Sequence, residues 1–316
     1  MSESTNTWSS RSRSGTMNAS PRSGRQATPA SRSAIASSTE ITRPSCLPWD
    51  TMAPMSDLLA RLEAYYDEVP RAGSEMQEHG PFTIFVSRAG WPYYARPRLG
   101  LTSEVTPDDV TGVLARLKEL GVPESIEWVH ENTPSLRAAA VAAGLSVEDY
   151  PLMVLDGEVL ERGSACDVRR VGPDDPDLGL VQGAVHIGFS QDDTLVGLAS
   201  VEERDAKADE LVDGLDHLSS VLAAGRSVLY GAFDPTAGAV GGGSHNPRGQ
   251  VTEIVGVGVL PAYRRRGIAG HLTAALTADA LESGVTTVFM SAGSDAVARV
   301  YEGVGFRRVG TACIVE

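Results

Sequence analysis

The residues best suited to chemistry are three consecutive arginines and a glycine-rich turn. Residues 253–276 read E-I-V-G-V-G-V-L-P-A-Y-R-R-R-G-I-A-G-H-L-T-A-A-L. Branched side chains favour a strand over 254–260, and Pro261 ends it because proline cannot donate to a ladder. Apolar spacing from Gly267 onward predicts a helix. Such a turn directs free backbone N–H groups and the positive end of a helix dipole outward, which suits a phosphate group.

Two common phosphate motifs do not fit this stretch. No G-K-[S/T] follows the glycines, as a P-loop requires, and Gly256 and Gly258 lie inside the strand, unlike the glycines of a dinucleotide fingerprint. An ordinary strand–turn–helix with a basic surface turn stays open. The run does fit R-x-x-G-x-A, at Arg264, Gly267 and Ala269. It resembles the acetyl-CoA pyrophosphate motif of the GNAT superfamily of N-acetyltransferases.

The resemblance implies acetyl-CoA as a co-substrate, with no metal. It places the pyrophosphate on the turn and the pantetheine arm beside the strand, where glycines permit a bulge or a close ligand approach. Ser294 stands where many relatives have an asparagine that contacts the cofactor. The implied cofactor-binding residues are Val257, Gly258, Val259, Arg264, Arg265, Arg266, Gly267, Ile268, Ala269, Gly270 and Ser294.

The resemblance also implies two catalytic residues, Glu253 and Tyr301. Glu253 begins the strand, where relatives place a general base that takes a proton from the attacking amine. Tyr301 lies in A-R-V-Y-E-G-V-G-F, and the matching phenol in many members protonates the departing thiolate. Plainer interpretations stay open: Glu253 as a solvated strand end, and Tyr301 as a packing residue. His245, in S-H-N-P-R-G, is a rival base.

Acceptor contacts in the superfamily come from the first two helices and the last strands. An acidic pair there would suit a cationic amine, and a solvated loop is the alternative. The candidates are His186, Phe189, Gln191, Asp192 and Asp193.

Composition excludes several classes of protein. The net charge of −14 argues against a nucleic-acid surface. No apolar run approaches a membrane span, so we expect no membrane partner. Cys46, Cys166 and Cys313 are odd in number and far apart, which indicates neither a zinc site nor a disulfide framework and fits a reducing cytoplasm.

The chain divides into three predicted regions. Residues 1–52 are a Ser/Arg-rich tail that we expect to be disordered, because it has almost no large apolar residues. Residues 53–160 form a degenerate GNAT-like half, and residues 161–316 form the acetyl-CoA-binding domain. Periodicity in the second region predicts a helix over 56–69 and a possible strand within 91–101; in the third it predicts one long charged helix over 198–224.

An internal repeat supports the two halves. Residues 128–155 overlay residues 289–316 without a gap, and a helix predicted at 106–120 takes the place of the one at 269–281. The chemistry does not repeat: residues 103–109 read S-E-V-T-P-D-D, whose acids would repel a pyrophosphate, and Ala140 replaces Tyr301.

These observations predict an α/β (α+β) fold of two GNAT-like halves, each with a mixed, mostly antiparallel central sheet flanked by helices. The leading functional hypothesis is a cytoplasmic N-acetyltransferase that moves an acetyl group to a small-molecule or peptide amine by direct attack. A non-catalytic acyl-CoA sensor or interaction module is the alternative, and O-acylation is a third. The oligomeric state, monomer or homodimer, stays open.

Overall fold

The computed structural model describes residues 55–87, 93–190 and 194–315. Within these ranges the chain forms eight α-helices and eleven β-strands, and the predicted mixed α/β class is confirmed. The helices are α1 (Met55–Arg71), α2 (Pro107–Leu120), α3 (Pro134–Ala142), α4 (Leu178–Phe189), α5 (Val201–Glu210), α6 (Val212–Ala223), α7 (Ile268–Glu282) and α8 (Asp295–Glu302). The strands are β1 (Ser74–His79), β2 (Phe82–Ser87), β3 (Arg96–Pro97), β4 (Ile126–Val129), β5 (Glu148–Leu155), β6 (Asp167–Val171), β7 (Val228–Asp234), β8 (Gly238–Arg248), β9 (Val251–Val259), β10 (Thr287–Ser291) and β11 (Phe306–Val315).

An eight-stranded sheet organises the fold. Its strand order is β4-β11-β5-β10-β9-β8-β7-β6, and β1, β2 and β3 form a separate three-stranded sheet. Neighbouring strands run antiparallel except β9 and β10, which are parallel. The predicted mostly antiparallel sheet is therefore confirmed.

Strands from the two parts of the chain interleave in this sheet. β5 lies between β10 and β11, and β11 lies between β5 and β4. A parallel bridge between Ala95 and Ile126 also joins the end of the small sheet to β4. The sheet therefore passes across the boundary that the sequence places at residue 160.

The element bounds follow the predicted overlay at a constant spacing of 161 residues. At this spacing α2 falls on α7, β4 on β10, α3 on α8 and β5 on β11. The two segments thus share one order of elements, although descent from two copies of one unit stays a prediction.

Successive side chains of β9 point to opposite faces of the sheet, so their contacts show which helices cover each face. Ile254 belongs to a core cluster with residues of α7 and α8, such as Leu276 and Tyr301. Glu253 points to the opposite face, where α1 packs over Phe289. α4 and α6 cover that same face, because their residues cluster with Leu229. Leu229 lies opposite Ser244, and Ser244 lies opposite Val255, which points to the same side as Glu253.

The structure corrects the helix predicted over residues 198–224. Two helices, α5 and α6, meet at Leu211. The bend lets Leu215, Leu218 and Leu222 join the core under α6, while α5 packs tightly on α4: a Cβ at Gly183 would lie 2.5 Å from the Arg204 carbonyl oxygen.

Strand β1 is absent from the predicted elements, and the strand sought in residues 91–101 is short. β1 reads S-E-M-Q-E-H and is mostly solvent-facing, so it lacks the apolar alternation on which prediction depends. Within the described residues only Arg96 and Pro97 of the second segment form a strand. The predicted tail at residues 1–52 lies outside the described residues.

None of the helices in the described ranges combines the length and apolar character that a membrane span requires.

Candidate functional site

Strands β9 and β10 part in the middle of the sheet. Their pairing covers Val251 with Thr287, Thr252 with Val288 and Glu253 with Phe289, and it goes no further. β9 continues to Val259, paired only with β8 among the described strands. The backbone of residues 254–259 therefore forms an open strand edge beside the gap that separates β9 from β10. The amides of a linear ligand arm can pair with this edge.

A β-bulge shapes this edge of β9. Gly242 pairs with Gly258 and Ser244 pairs with Val255, so β9 carries one more residue than β8 in this interval. Gly256 has φ of 64°, a left-handed conformation that glycine adopts without strain. The bulge expected from the two glycines is present, and it redirects Val257, Gly258 and Val259 beside the gap.

The start of α7 follows directly from this edge. A 3₁₀ turn at Pro261–Tyr263 leads to Arg265, whose φ is 63°, and to Gly267, the N-cap residue, with φ of 80°. No side chain caps α7, and within the described residues no acceptor lies on the N–H groups of Ile268, Ala269 and Gly270. These donors and the helix dipole suit an anion.

Two arginines of the turn, Arg264 and Arg266, differ in their contacts. Arg264 donates to the carbonyl oxygens of Val259, Leu195 and Gly188, so its guanidinium ties the end of α4 to the end of β9. Arg266 donates to the Ala262 carbonyl at 3.2 Å and stacks on the Tyr263 ring at 4.6 Å. Arg264 would therefore help a ligand to bind by holding the turn in place.

The linker between β5 and β6, residues 156–166, covers one side of the α7 start. The Gly163 carbonyl oxygen lies 3.1 Å from the position a Cβ on Gly267 would take. Arg162 donates to the Gly303 carbonyl, and Ser164 Oγ lies 3.1 Å from Nδ1 of His271. Any ligand on this turn would have the linker as one of its neighbours.

Glu253 lies at the point where β9 and β10 part. Its side chain is half-buried, and Oε1 accepts a 3.0 Å hydrogen bond from the Tyr66 hydroxyl. Its pKa is raised to about 8, chiefly by burial and then by the nearby Glu127, while the Tyr66 hydrogen bond and Arg96 act to lower it. A carboxylate with such a pKa can accept a proton near neutral pH.

A buried charge network surrounds this carboxylate. Arg96 pairs with Glu63 at 3.3 Å and with Glu127 at 3.2 Å, and its guanidinium stacks on the Tyr66 ring at 4.4 Å. Burial raises the pKa of Glu127, while Arg96 acts to lower it. One cation is thus shared by two carboxylates, and Glu253 adds a third negative group to the same neighbourhood.

Tyr301 lies on the other face of the sheet from Glu253. It is a buried residue of α8 in the core cluster of Ile254 and Leu276, and burial alone raises its pKa to about 12. Ser294, the N-cap of α8, accepts a 3.2 Å hydrogen bond from the Val297 N–H. The phenol stays protonated at any ordinary pH, as a proton donor must.

The comparisons with known proteins bear on this geometry. Residues 172–306 match the family model described as acetyltransferase (GNAT) family. We refer to residues 172–306 as the GNAT domain, after the family whose model they match. That domain contains the bulge, the gap, the α7 start, Glu253 and Tyr301.

Solved structures resemble a larger part of the chain. A GCN5-related N-acetyltransferase from Kribbella flavida is 19% identical, with a TM-score of 0.59, over 82% of this chain and 95% of that one. An acetyltransferase described as putative, of the GNAT family, from Novosphingobium aromaticivorans is 15% identical with a TM-score of 0.44, over 78% and 93%. A tandem GNAT protein of the clavulanic acid biosynthesis pathway is 14% identical with a TM-score of 0.47, over 74% and 77%. The first likeness supports the fold alone. No match was found among curated proteins.

His245, the rival base, lies in the GNAT domain but away from Glu253. It is fully buried on the α7 face, with Nδ1 3.1 Å from the Thr252 hydroxyl and Nε2 3.0 Å from the Asp279 carboxylate. Burial lowers its pKa, and Asp279 acts to raise it. Its two ring nitrogens are engaged within the core, which favours a structural role.

Two of the predicted acceptor contacts flank the end of the gap. His186 and Phe189 lie in the last turn of α4, and Phe189 is 42% exposed beside Gly258. Burial lowers the pKa of His186, and the nearby charge of Lys207 lowers it further. Gln191, Asp192 and Asp193 lie outside the described residues.

The sequence missed the groups that surround Glu253. Tyr66, Arg96 and Glu127 come from α1, β3 and β4, all outside the GNAT domain and distant from Glu253 along the chain. No local motif marks them, and only the interleaved sheet brings them together. No group of side chains in the described residues is arranged to hold a metal ion.

Proposed function

We propose that this protein is an acetyl-CoA-dependent N-acetyltransferase whose chemistry lies in the GNAT domain. The observation that carries the proposal is the continuity of three features: an open β9 edge, an uncapped helix start at its end, and a raised-pKa carboxylate where the strands part. The family match supports acyl-CoA-dependent transfer in general. The acceptor class is a small-molecule or peptide amine.

The residues present fit acetyl-CoA. The free N–H groups at Ile268–Gly270 would hold the pyrophosphate, and Gly267 leaves room that a side chain would fill. The open edge at Val257–Val259 would pair with the amides of the pantetheine arm. Bound there, acetyl-CoA supplies an activated acetyl thioester.

Glu253 and Tyr301 divide the proton transfers. Glu253 accepts the proton that an ammonium acceptor must lose before its nitrogen attacks the thioester carbonyl. The C–N bond then forms and the C–S bond breaks, while Tyr301 donates its proton to the departing sulfur. The second proton that the nitrogen loses as it becomes an amide passes through solvent to the Tyr301 phenolate, and Glu253 releases its proton to solvent. Because Glu253 and Tyr301 lie on opposite faces of the sheet, the amine would arrive on one side and the thiol would leave on the other.

The two cysteines among the described residues do not favour cysteine catalysis. Cys166 and Cys313 are both buried, and burial raises the pKa of each thiol, in Cys313 to about 12. Because the thiolate is the nucleophile, these two thiols are poorly suited to form an acyl-enzyme. Direct attack by the amine is the simpler mechanism.

We also propose that residues 53–160 and 161–316 are two GNAT-like halves of which one carries out the reaction. The constant spacing of 161 residues between corresponding elements supports this division, although the last strands interleave in one sheet.

The experiment is a panel of primary amines with acetyl-CoA, followed by release of free thiol. We expect at least one amine to give turnover above the rate without acceptor, and calorimetry to show acetyl-CoA binding. Binding without turnover for any amine would favour the acyl-CoA sensor. Turnover with alcohols alone would indicate O-acylation.

A further inference from the structure

A basic pocket of about 500 Å³ opens between the end of α1 and the β8–β9 turn. Its walls come from the end of α1, with Glu68 and Arg71, from Arg226 just after α6, and from Pro247 and Arg248 at the β8–β9 turn. Three arginines face one glutamate in a protein whose net charge is −14. The pocket is therefore an exception to the charge of the molecule as a whole.

The arginines are held in different ways. Arg248 donates through Nη1 to the carbonyl oxygens of Arg226 and Pro247, at 2.9 and 2.7 Å, so backbone acceptors orient its guanidinium. Arg71 makes a bidentate pair with Asp67 at 2.7 and 3.0 Å. Arg226 is exposed and has no carboxylate partner among the described residues. Two guanidinium groups thus keep donors that protein carboxylates do not use.

The pocket and Glu253 share one face of the sheet. Asn246 of β8 lies opposite Glu253, and Arg248 lies opposite Val251. Residues directly opposite each other point to the same side, and diagonal neighbours are roughly 7–8 Å apart. Arg248 is therefore the diagonal neighbour of Glu253 on the side that α1 and α6 cover.

Tyr65 connects the two places. Its hydroxyl donates to the Asn246 carbonyl at 2.6 Å and accepts from the Glu253 N–H at 3.2 Å. Glu68 of the pocket lies one turn further along the same helix. Tyr93 is also near, since burial raises its pKa while the charges of Arg248 and Arg226 act to lower it. Tyr65 thus bonds to the backbone of Glu253 and to that of Asn246, which directly precedes the pocket residues Pro247 and Arg248.

Guanidinium groups at this position recognise a particular chemistry. Arginine binds carboxylate and phosphate oxygens by paired hydrogen bonds. A carboxylate or phosphate here would be diagonal to the group that accepts the proton from the acceptor amine. We propose that the pocket binds the oxyanion of an acceptor that carries both a primary amine and a carboxylate or phosphate group. This inference rests on the proposed function, because it names the acceptor of the same site.

The test separates binding from turnover. Acetate and inorganic phosphate are titrated in turn into the full chain saturated with CoA, which fills the α7 start. Three proteins are compared: unchanged, the double variant Arg226→Gln/Arg248→Gln, and the control Arg98→Gln, an exposed arginine that pairs with Glu78 on β1. We expect one anion to bind, at least tenfold more weakly in the double variant and equally in the control. Which anion binds tells carboxylate from phosphate.

Kinetics then connects the pocket to the acceptor. For an amino acid and its carboxamide, the double variant should raise KM for the acid at least tenfold and leave the carboxamide unchanged. The single variant Arg226→Gln, at an exposed position, gives a smaller shift in the same direction and guards against misfolding of the double variant. Equal anion affinity in all proteins, or no binding of either anion, would overturn the inference. Anion binding with no turnover of any amine would instead leave the pocket in place and refute the N-acetyltransferase proposal.

Discussion

The starts of α2 and α7 occupy matching places in the chain and have opposite properties. Thr106 and Gly267, 161 residues apart, are the two N-cap residues. Thr106 and Asp109 form a capping box, in which the Asp109 carboxylate accepts from the Thr106 N–H at 2.9 Å and Thr106 Oγ1 accepts from the Asp109 N–H at 3.2 Å. The protein's own carboxylate fills this helix start, whereas α7 leaves its donors open for a ligand.

The same contrast holds at the two proposed catalytic positions. Ala140 stands at the position that matches Tyr301. The bridge between Ala95 and Ile126 matches the pairing of Val251 with Thr287, so Pro97 matches Glu253. The comparison teaches that one order of elements occurs twice in the described residues, and under our proposal only the second occurrence offers anion binding and proton transfer.

The largest effect is predicted for a variant that places a carboxylate at the start of α7, as Asp109 does at the start of α2. In Gly267→Glu, a carboxylate would meet the pyrophosphate, and a Cβ would lie 3.1 Å from the Gly163 oxygen at a φ of 80°. We expect acetyl-CoA affinity to fall more than 100-fold in calorimetry.

A matched variant isolates the electrostatic cause. Gly284→Glu, at the other end of α7, has a similar φ of 89° and open space around its Cβ. It should cost comparable backbone strain and leave acetyl-CoA binding unchanged. Unchanged binding in Gly267→Glu would remove the α7 start from the site.

The second prediction concerns Glu253. Removing a general base costs about 10²–10⁴ in rate, so Glu253→Gln should lower turnover at least about 100-fold at pH 8. Because the base must be ionised, the wild-type rate should rise with pH and level off above its pKa of about 8. Tyr66→Phe removes a hydrogen bond that lowers this pKa, so its profile should move to higher pH. A profile of Tyr66→Phe that matches wild type, with full turnover in Glu253→Gln, would exclude the assignment.

Glu253 should also affect stability. Its folded pKa of about 8 lies above the ordinary value of 4.5, so the folded state binds the proton more tightly than the unfolded state. The free energy of unfolding should therefore fall as pH rises from about 4.5 to about 8. Glu253→Gln should lack this decrease in denaturant titrations across that range. An identical pH dependence in both proteins would contradict the raised pKa.

Tyr301 should give a smaller effect on rate. Tyr301→Phe keeps the buried ring and removes the proton donor, so we expect turnover to fall roughly tenfold to 100-fold, near the lower end for general acid catalysis. Acetyl-CoA affinity and thermal stability should change little. Tyr150→Phe, on β5 with its hydroxyl bonded to Glu148, is the control and should be fully active. Equal turnover in both variants would reduce Tyr301 to a packing residue.

The smallest predicted effect is on stability and concerns the capped start of α2. Asp109→Ala removes the capping box, which should cost about 1 kcal/mol of unfolding free energy. Asp108→Ala, in the same turn without a capping hydrogen bond, should cost less. Neither variant should gain an acetyl-CoA site, because Thr106 and Pro107 still lack the glycines of the turn. A second binding event in Asp109→Ala would show that capping alone separates the halves.

Local patterns predicted the strand, bulge, turn and helix of residues 251–282, because glycine, proline and β-branched residues act on their immediate neighbours. The overlay of the two segments also predicted the order of elements. Prediction failed where contacts with residues distant in the chain determine the structure. The cases are the interleaving of β5 and β11, the break between α5 and α6 at Leu211, and the polar strand β1. The network of Tyr66, Arg96 and Glu127 around Glu253 depends on that interleaving, so no stretch of sequence indicated it.

The most direct test of the account is the stoichiometry of acetyl-CoA binding to the full chain by calorimetry. We predict one acetyl-CoA per chain in the unchanged protein and none in Gly267→Glu. Two equivalents per chain, or one equivalent that survives in Gly267→Glu, would contradict the account, because binding would then not depend on the open start of α7.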